Sequence, residues 1–264
     1  MAEKKRIDVY MTENGLAESR EKARALIMAG TVTLDGQVCT KPAAVVAEGQ
    51  QVSVRGEEDF VSRGGKKLQK AIESFHIDLT NTVCIDVGAS TGGFTDCMLQ
   101  HGAAHVYAVD VGYGQLAWRL RQDARVTVME RCNARYLTPE MFDPLASFAS
   151  IDVSFISLRL ILPALKGVLV APFTIAALIK PQFEAGRDKV GKHGVVRDPK
   201  THIEVIEGVL ASAQEIGLFV AGLDFSPIKG PQGNIEYLAC FANSGEGQIP
   251  DIAGVVAAAH GELD

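Results

Sequence analysis

The period of apolar and polar positions changes at Ser62. Ahead of it, Ile7 to Asn14 predicts a helix, Ser19 to Ala29 a second one, and Thr31 to Val38 a hairpin turning on Asp35-Gly36. In the second helix Ala23, Leu26 and Ile27 form an apolar face, with Ser19 placed as N-cap and Gly30 as the closing residue. Arg20 and Arg24, one turn apart, share a different face. A further strand, Gln51 to Val54, follows a turn at Gly49, and the charged run Arg55-Gly-Glu-Glu-Asp59 reads as a flexible linker.

From Ser62 onward, strands alternate with helices, the signature of a mainly parallel sheet covered on both faces. Strands are predicted at Val83–Val87, Val106–Asp110, Val126–Met129, Ala149–Val153, Ile175–Ile179, Leu218–Phe225 and Ile235–Phe241. Helices are predicted at Lys66–Phe75, Gly93–Gln100, Gln115–Arg121, Leu158–Val168 and Thr201–Ile216. Only the turn Pro227–Asn234 separates the last two strands, so they are expected to pair antiparallel. The expected fold is α/β, a doubly wound seven-stranded Rossmann-like sheet behind a small N-terminal α+β domain. The divisions are residues 1–55, a linker at 56–61, a large domain at 62–243 and a tail at 244–264 in which no element is assigned.

A chain of 264 residues has room for such a pair of domains, and at 47% hydrophobic and 22% charged it has the composition of an ordinary soluble protein. The longest apolar stretches, such as Ala171 to Ile179, fall far short of the roughly 20 residues a bilayer span needs. Met1 to Arg6 leads into no apolar signal segment, so a cytoplasmic location without a membrane partner is expected. Cys39, Cys84, Cys97, Cys132 and Cys240 are scattered and odd in number, which fits neither a disulfide framework nor a zinc site. The formal charge of −6 excludes a protein basic all over. It is uneven: residues 1–70 carry twelve Lys or Arg against ten Asp or Glu, whereas the remainder carries fourteen against twenty-two.

The first strand of the large domain runs into Asp86-Val-Gly-Ala-Ser-Thr-Gly-Gly-Phe-Thr-Asp96, a glycine-rich turn feeding a helix. Such a turn lets backbone N–H groups approach a ligand at the carboxyl edge of the sheet. The spacing of Gly88, Gly92 and Gly93 is not that of the dinucleotide fingerprint, whose glycines accommodate a pyrophosphate. Asp86 suits a cationic sulfonium ligand with an amino group better than a pyrophosphate, which favours S-adenosylmethionine over a nicotinamide dinucleotide. Ala89, Ser90 and Phe94 complete the candidate loop, Asp110 is placed to accept hydrogen bonds from ribose hydroxyls, and Asn133 to meet an adenine edge. The structural alternative is that Asp86 and Asp110 cap loops and the glycines only make a tight turn.

With these residues assembled, the chain resembles the TlyA family, the so-called hemolysin A proteins, over nearly its whole length. Its N-terminal part is similar to the S-four type RNA-binding domain in Arg6-Ile-Asp8, Ser19-Arg20, Ala23 and Gly30-x-Val32 through Gly36. The remainder is similar to the FtsJ-like ribose methyltransferases in Ser62-Arg-Gly-Gly-Lys-Lys67-Leu, Asp86 to Asp96, Asp152-Val-Ser-Phe-Ile-Ser157, Leu178-Ile-Lys180-Pro-Gln-Phe183 and Gly233-Asn-Ile-Glu236. The resemblance implies a methyltransferase sheet and a catalytic Lys-Asp-Lys-Glu tetrad at Lys67, Asp152, Lys180 and Glu236. It also implies 2′-O-methylation of cytidine in ribosomal RNA, with S-adenosylmethionine as cofactor and ribosomal RNA or a ribosomal subunit as partner. A ribose hydroxyl is a poor nucleophile that must shed its proton, and a lysine crowded by another cation and partly desolvated can act as base. In that scheme Lys180 orients or deprotonates the hydroxyl, Asp152 holds its ammonium, Lys67 biases its protonation and Glu236 completes the network. The segment after the fourth strand lacks the paired prolines of amine methylation, and no Pro-Cys nucleophile suggests carbon methylation.

Lys4, Lys5, Arg6, Arg20, Lys22 and Arg24 are candidates for a phosphate-binding surface on the N-terminal module; Ser19 and Arg63, within the motifs of the resemblance, join the RNA-binding set. The loop from Glu184 to Arg197 carries Arg187, Lys189, Lys192, His193 and Arg197, and either closes over RNA or has no partner. Trp118 is expected to pack rather than to stack on RNA. The histidines show no metal-ligand spacing, so no metal is proposed. Two other classes compete: a membrane-active hemolysin, disfavoured by the absent spanning pattern, and a noncatalytic RNA-binding assembly factor, disfavoured by the complete loop and tetrad. Oligomeric state is not legible in the sequence.

Overall fold

The computed structural model describes residues 5–47, 49–54, 60–191, 193–245, 247 and 249–264, with the backbone but not the side chain of Arg187. Lys4, Lys192 and residues 56–59 of the expected linker lie outside the described residues. Two compact units are present, divided between residues 59 and 60.

The first unit runs β1 (Lys5–Arg6), α1 (Ile7–Glu13), α2 (Arg20–Met28), β2 (Val32–Leu34), β3 (Gln37–Val38), β4 (Val45–Val46) and β5 (Val52–Val54). Ser19 caps α2 by accepting a hydrogen bond from the Lys22 amide at 3.2 Å. Asp35 and Gly36 both take positive φ, 49° and 80°, which gives the β2–β3 hairpin the turn whose twist matches its strands. β3, β2 and β5 form an antiparallel sheet. The pairing of β1 with β4 has no counterpart in the sequence reading, because two-residue strands carry no period. Ile7, Met11, Ala23, Ile27, Val32, Val46 and Val52 make the core.

The second unit runs α3 (Gly65–Phe75), β6 (Val83–Val87), α4 (Gly93–Gln100), β7 (His105–Val109), α5 (Trp118–Arg121), β8 (Val126–Met129), β9 (Ala146–Ile151), α6 (Leu162–Val168), β10 (Leu169–Ile179), α7 (Pro181–Glu184), α8 (Pro199–Glu215), β11 (Phe219–Phe225), β12 (Tyr237–Ala242) and α9 (Ile252–Leu263). Its seven strands lie in the order β11-β12-β10-β9-β6-β7-β8. β12 is antiparallel to both of its neighbours and the other pairings are parallel. Alternation along β6 divides the core: Ile85 and Val87 join the cluster containing α6, α8 and α9, while Cys84 joins that of α3 and α4. No described helix is long and apolar enough to cross a membrane.

Several expectations need correction. The single helix expected over Leu158–Val168 is a short 3-10 turn at Leu158–Leu160 followed by α6, because Pro163 removes an N–H and crowds the preceding turn. β10 starts at Leu169 rather than Ile175, with an irregular register between Leu169 and Thr174 around Pro172. The tail holds α9, capped by Asp251 through the Gly254 amide at 2.9 Å; Val256 and Ala259 are buried in the α8 side of the core. Trp118 does not pack: it is 71% exposed at the start of the short α5.

Candidate active site

Parallel strands β6, β7, β8, β9 and β10 bring their carboxyl ends to one edge of the sheet, where the connecting loops build the site. After β6 the chain turns under the end of β7, with the amides of Gly88 and Ala89 donating to the Val109 carbonyl at 2.8 and 3.1 Å. Gly88 has φ +87°, and a Cβ there would stand 2.3 Å from the carbonyl oxygen of Asp152. Only glycine permits both the conformation and the approach. Asp110, at the end of β7, accepts from the Ser90 amide at 2.8 Å and the Gly112 amide at 2.6 Å, so one carboxylate shapes two loops.

A cavity of about 470 Å³ opens at this edge, within the size range of nucleoside-sized ligands. Gly88, Ser90, Asp110, Gln115 and Asn133 supply polar atoms, and Val111, Val153, Ile156 and Ile161 supply apolar walls. A smaller recess of about 110 Å³ adjoins it, lined by Ser62, Gly64, Gly88, Ala89, Ser90, Thr91, Gly93, Phe94 and Asp152. The residues fit an adenosyl ligand with an amino acid tail: apolar walls for a flat ring, a carboxylate at the strand end for ribose hydroxyls, and a glycine cradle that a Cβ would fill.

Asp86 and Gly92 stand apart from that set. The Asp86 side chain lies on the α4 side of the sheet with no exposed surface, accepting from Thr95 Oγ1 at 2.6 Å and Ser150 Oγ at 3.1 Å. It lines neither cavity, so the contact expected from charge sign is corrected to a strut beneath the loop. Burial pushes its carboxyl up to about 7, against the lowering by the two hydroxyl donors. Gly92 serves packing, since a Cβ there would meet Leu120 at 2.3 Å. Asn133 lines the cavity while its Oδ1 accepts from the Arg135 amide at 3.1 Å.

The four tetrad positions form two ion pairs. Lys67, on α3, donates from Nζ to Glu236 Oε2 at 2.5 Å, and both side chains are buried. Lys180 Nζ lies 2.5 Å from Asp152 Oδ1 and donates to Ser154 Oγ at 3.2 Å. The Asp152 contact is off the hydrogen-bonding direction, which leaves that buried oxygen without a directed partner among the described residues. The β10–β12 register ends with Ile179 opposite Tyr237, so Lys180 and Glu236 each adjoin the last paired residues of neighbouring strands. The charge of Lys67 is thus balanced by Glu236 and that of Lys180 by Asp152.

Sequence reasoning assigned only Asp152 in its segment, yet Asp152 to Ile156 all line the cavity. Phe155 in particular takes φ +63°, is 87% exposed, and has its ring centroid 4.9 Å from that of Phe183. An aromatic residue four positions past a strand end was the available signal. Glu184, the last residue of α7, accepts from Ser157 Oγ at 2.6 Å and the Leu158 amide at 2.8 Å. Asn234 accepts from the Val196 amide at 3.0 Å and donates to the Gly194 carbonyl at 2.9 Å. Arg63 is exposed in the turn before α3, adjoining Ser62 and Gly64 of the recess.

In the first unit, Arg6, Arg20 and Arg24 all reach the buried carboxylate of Asp8, at 3.0, 3.2 and 3.1 Å. The Lys22 side chain is exposed, Ser19 is engaged as a helix cap, and Lys5 pairs with Glu13 at 2.9 Å.

Comparison with known proteins gives two family matches: an FtsJ-like methyltransferase over residues 60–243 and an S4 domain over residues 5–52. A Bacillus subtilis relative, named as a candidate rRNA methyltransferase, YqxC, is 52% identical over 249 residues, covering 94% of this chain and 89% of the relative. The 16S/23S rRNA (cytidine-2'-O)-methyltransferase TlyA of Mycobacterium tuberculosis is 48% identical over 239 residues, covering 90% of this chain and 89% of the relative. A solved structure from Streptococcus thermophilus, described as a candidate hemolysin, is 51% identical with a TM-score of 0.76, covering 98% of this chain and 96% of that one.

Proposed function

The chain belongs to the FtsJ-like methyltransferase family, in the branch of the TlyA proteins and with an S4 domain ahead of its catalytic domain, and from that premise we propose that it methylates the 2′-hydroxyl of a cytidine in ribosomal RNA. S-adenosylmethionine supplies an activated methyl group on a positively charged sulfur. Asp110 would hold the ribose hydroxyls of that cofactor and Asn133 its adenine edge, while the loop from Gly88 to Phe94 would receive the amino acid tail. The partner is a ribosomal subunit or its RNA, reached in the cytoplasm, and the S4 domain supports an RNA partner.

Asp152 carries the reading, because it lines both cavities and is ion-paired with Lys180. Lys180, steadied by Asp152 and Ser154, would orient the acceptor hydroxyl, and the proton that hydroxyl sheds would pass to the Lys180–Asp152 pair as oxygen bonds to the methyl carbon and the carbon–sulfur bond breaks. Lys67 and Glu236 brace the neighbouring strand end.

The test uses the purified chain, isotopically labelled S-adenosylmethionine, and ribosomal RNA from cells lacking the gene, with the product mapped by mass spectrometry. Label on the ribose of a cytidine is expected, and the map also assigns the subunit. Label on a base, or none on ribosomal RNA, overturns the reading.

A further inference from the structure

Asp8 is the fully buried member of an otherwise half-exposed cluster, with 0% of its side chain accessible against 46, 52 and 49% for Arg6, Arg20 and Arg24. Arg6 grips it with two N–H groups, Nε to Oδ1 and Nη2 to Oδ2, both at 3.0 Å. Arg20 Nη2 and Arg24 Nε each add one bond to Oδ2, at 3.2 and 3.1 Å. Arg20 and Arg24 are one turn apart on α2, whereas Arg6 precedes α1, so the three meet only because α1 and α2 pack on each other. Three guanidiniums brought this close would repel and splay without a carboxylate between them.

We propose that Asp8 is a positioning residue for RNA, its buried carboxylate gathering Arg6, Arg20 and Arg24 into one rigid fan that takes backbone phosphates of folded RNA. The inference rests on the proposed action on ribosomal RNA and adds how the N-terminal module is organised for it. Four N–H groups in all are used on Asp8. Each guanidinium carries five donors in a planar fork, so most of the fan's donors point elsewhere, with two net positive charges behind them. Phosphate oxygens suit such forks, and pre-ordered side chains lose less freedom on binding. The arginine hydrogen bonds, that of Arg6 foremost, hold the Asp8 carboxyl well below the usual carboxylate range, so the fan keeps its centre at every working pH.

Positioning and simple charge make opposite predictions for Asp8→Asn. The substitution removes a negative charge, so independent arginines would bind RNA more tightly and with a steeper salt dependence. Loss of the organiser instead weakens binding although the net charge has become more positive. The experiment measures binding of the full chain to a labelled ribosomal RNA hairpin across a salt series, together with methylation kinetics and thermal unfolding. Arg24→Lys, which keeps the charge on an exposed side chain and removes the fork, serves as the second variant. The expected result is roughly tenfold weaker binding by both variants, with KM for RNA raised and kcat unchanged at saturating RNA. Tighter binding by D8N overturns the proposal, as does an unfolded D8N accompanied by wild-type affinity in R24K. Absence of RNA binding by the unaltered chain instead overturns the proposed function, so the two failures are distinct.

Discussion

Lys180 and Asp152 stand 2.5 Å apart at the sheet edge, contributed by the ends of neighbouring parallel strands β10 and β9. The ion pair touches the cavity through Asp152, whereas Lys180 lines neither cavity, so under the proposed mechanism its loss should spare the cofactor. Lys180→Ala should lower the rate of methyl transfer by roughly a thousandfold. Calorimetric titration should show the affinity for S-adenosylmethionine unchanged. Full activity in this variant would remove Lys180 from the mechanism.

Lys67 and Glu236 are buried together, and breaking one side leaves a charge without its counter-ion. Glu236→Gln should destabilise the catalytic domain by about 3 kcal/mol in chemical denaturation. The double replacement Lys67→Met with Glu236→Leu should restore much of that stability, since paired apolar groups of similar size replace a buried ion pair at little loss. Methyl transfer should stay impaired in the double variant; recovery of activity along with stability would reduce the pair to a structural role.

Gly88→Ala forces a side chain into φ +87° with its Cβ 2.3 Å from the Asp152 carbonyl. The strain is roughly 1 to 3 kcal/mol, and the shift it imposes displaces both the loop and Asp152. Thermal unfolding should fall and cofactor affinity should drop by an order of magnitude or more, about the effect of 1.4 kcal/mol or above. Wild-type affinity in a destabilised variant would show that the loop does not contact the cofactor.

Asp86 titrates at about 7 in the folded protein, raised by burial, and near 3.8 when unfolded. Protons are then retained by the folded state between those values, so its contribution to stability is greatest below about pH 4 and declines as pH rises to about 7. Asp86→Asn removes that decline. The variant should gain on the parent protein by up to roughly 4 kcal/mol as pH rises from 4 to 8, at about 1.4 kcal/mol per pKa unit. Parallel stability curves for the two proteins across that range would show Asp86 to be ionised throughout.

Local signals set how much of the fold was legible. β6, α4 and β8 keep the bounds read from the sequence, because each is framed by its own turn or glycine. Pro163 was outweighed by the apolar run in the helix read across Leu158–Val168, whereas the strand read from Ile175 stopped short of Pro172, which β10 in fact runs through. α9 was not legible, since Ala and Gly dominate it and its apolar side becomes distinct only where Val256 and Ala259 meet the α8 side of the core. At the site, Asp110 was placed by its position at a strand end, whereas Asp86, with an equally acidic side chain, turned out to face the opposite way.

By itself, the sequence determined the alternation of strands and helices, the glycine turn after β6 and the chemical types at each strand end. These are properties of neighbouring residues, and period and turn chemistry carry them. Tertiary structure alone decided which charges became partners: Lys67 with Glu236, 169 positions away, and Asp8 with arginines from two different segments. Periodicity assigns a residue to a face of its own element but holds no information on what the facing element brings. Sheet order and helix packing supply that, and with it the difference between an acid that lines the cavity and one buried beneath it.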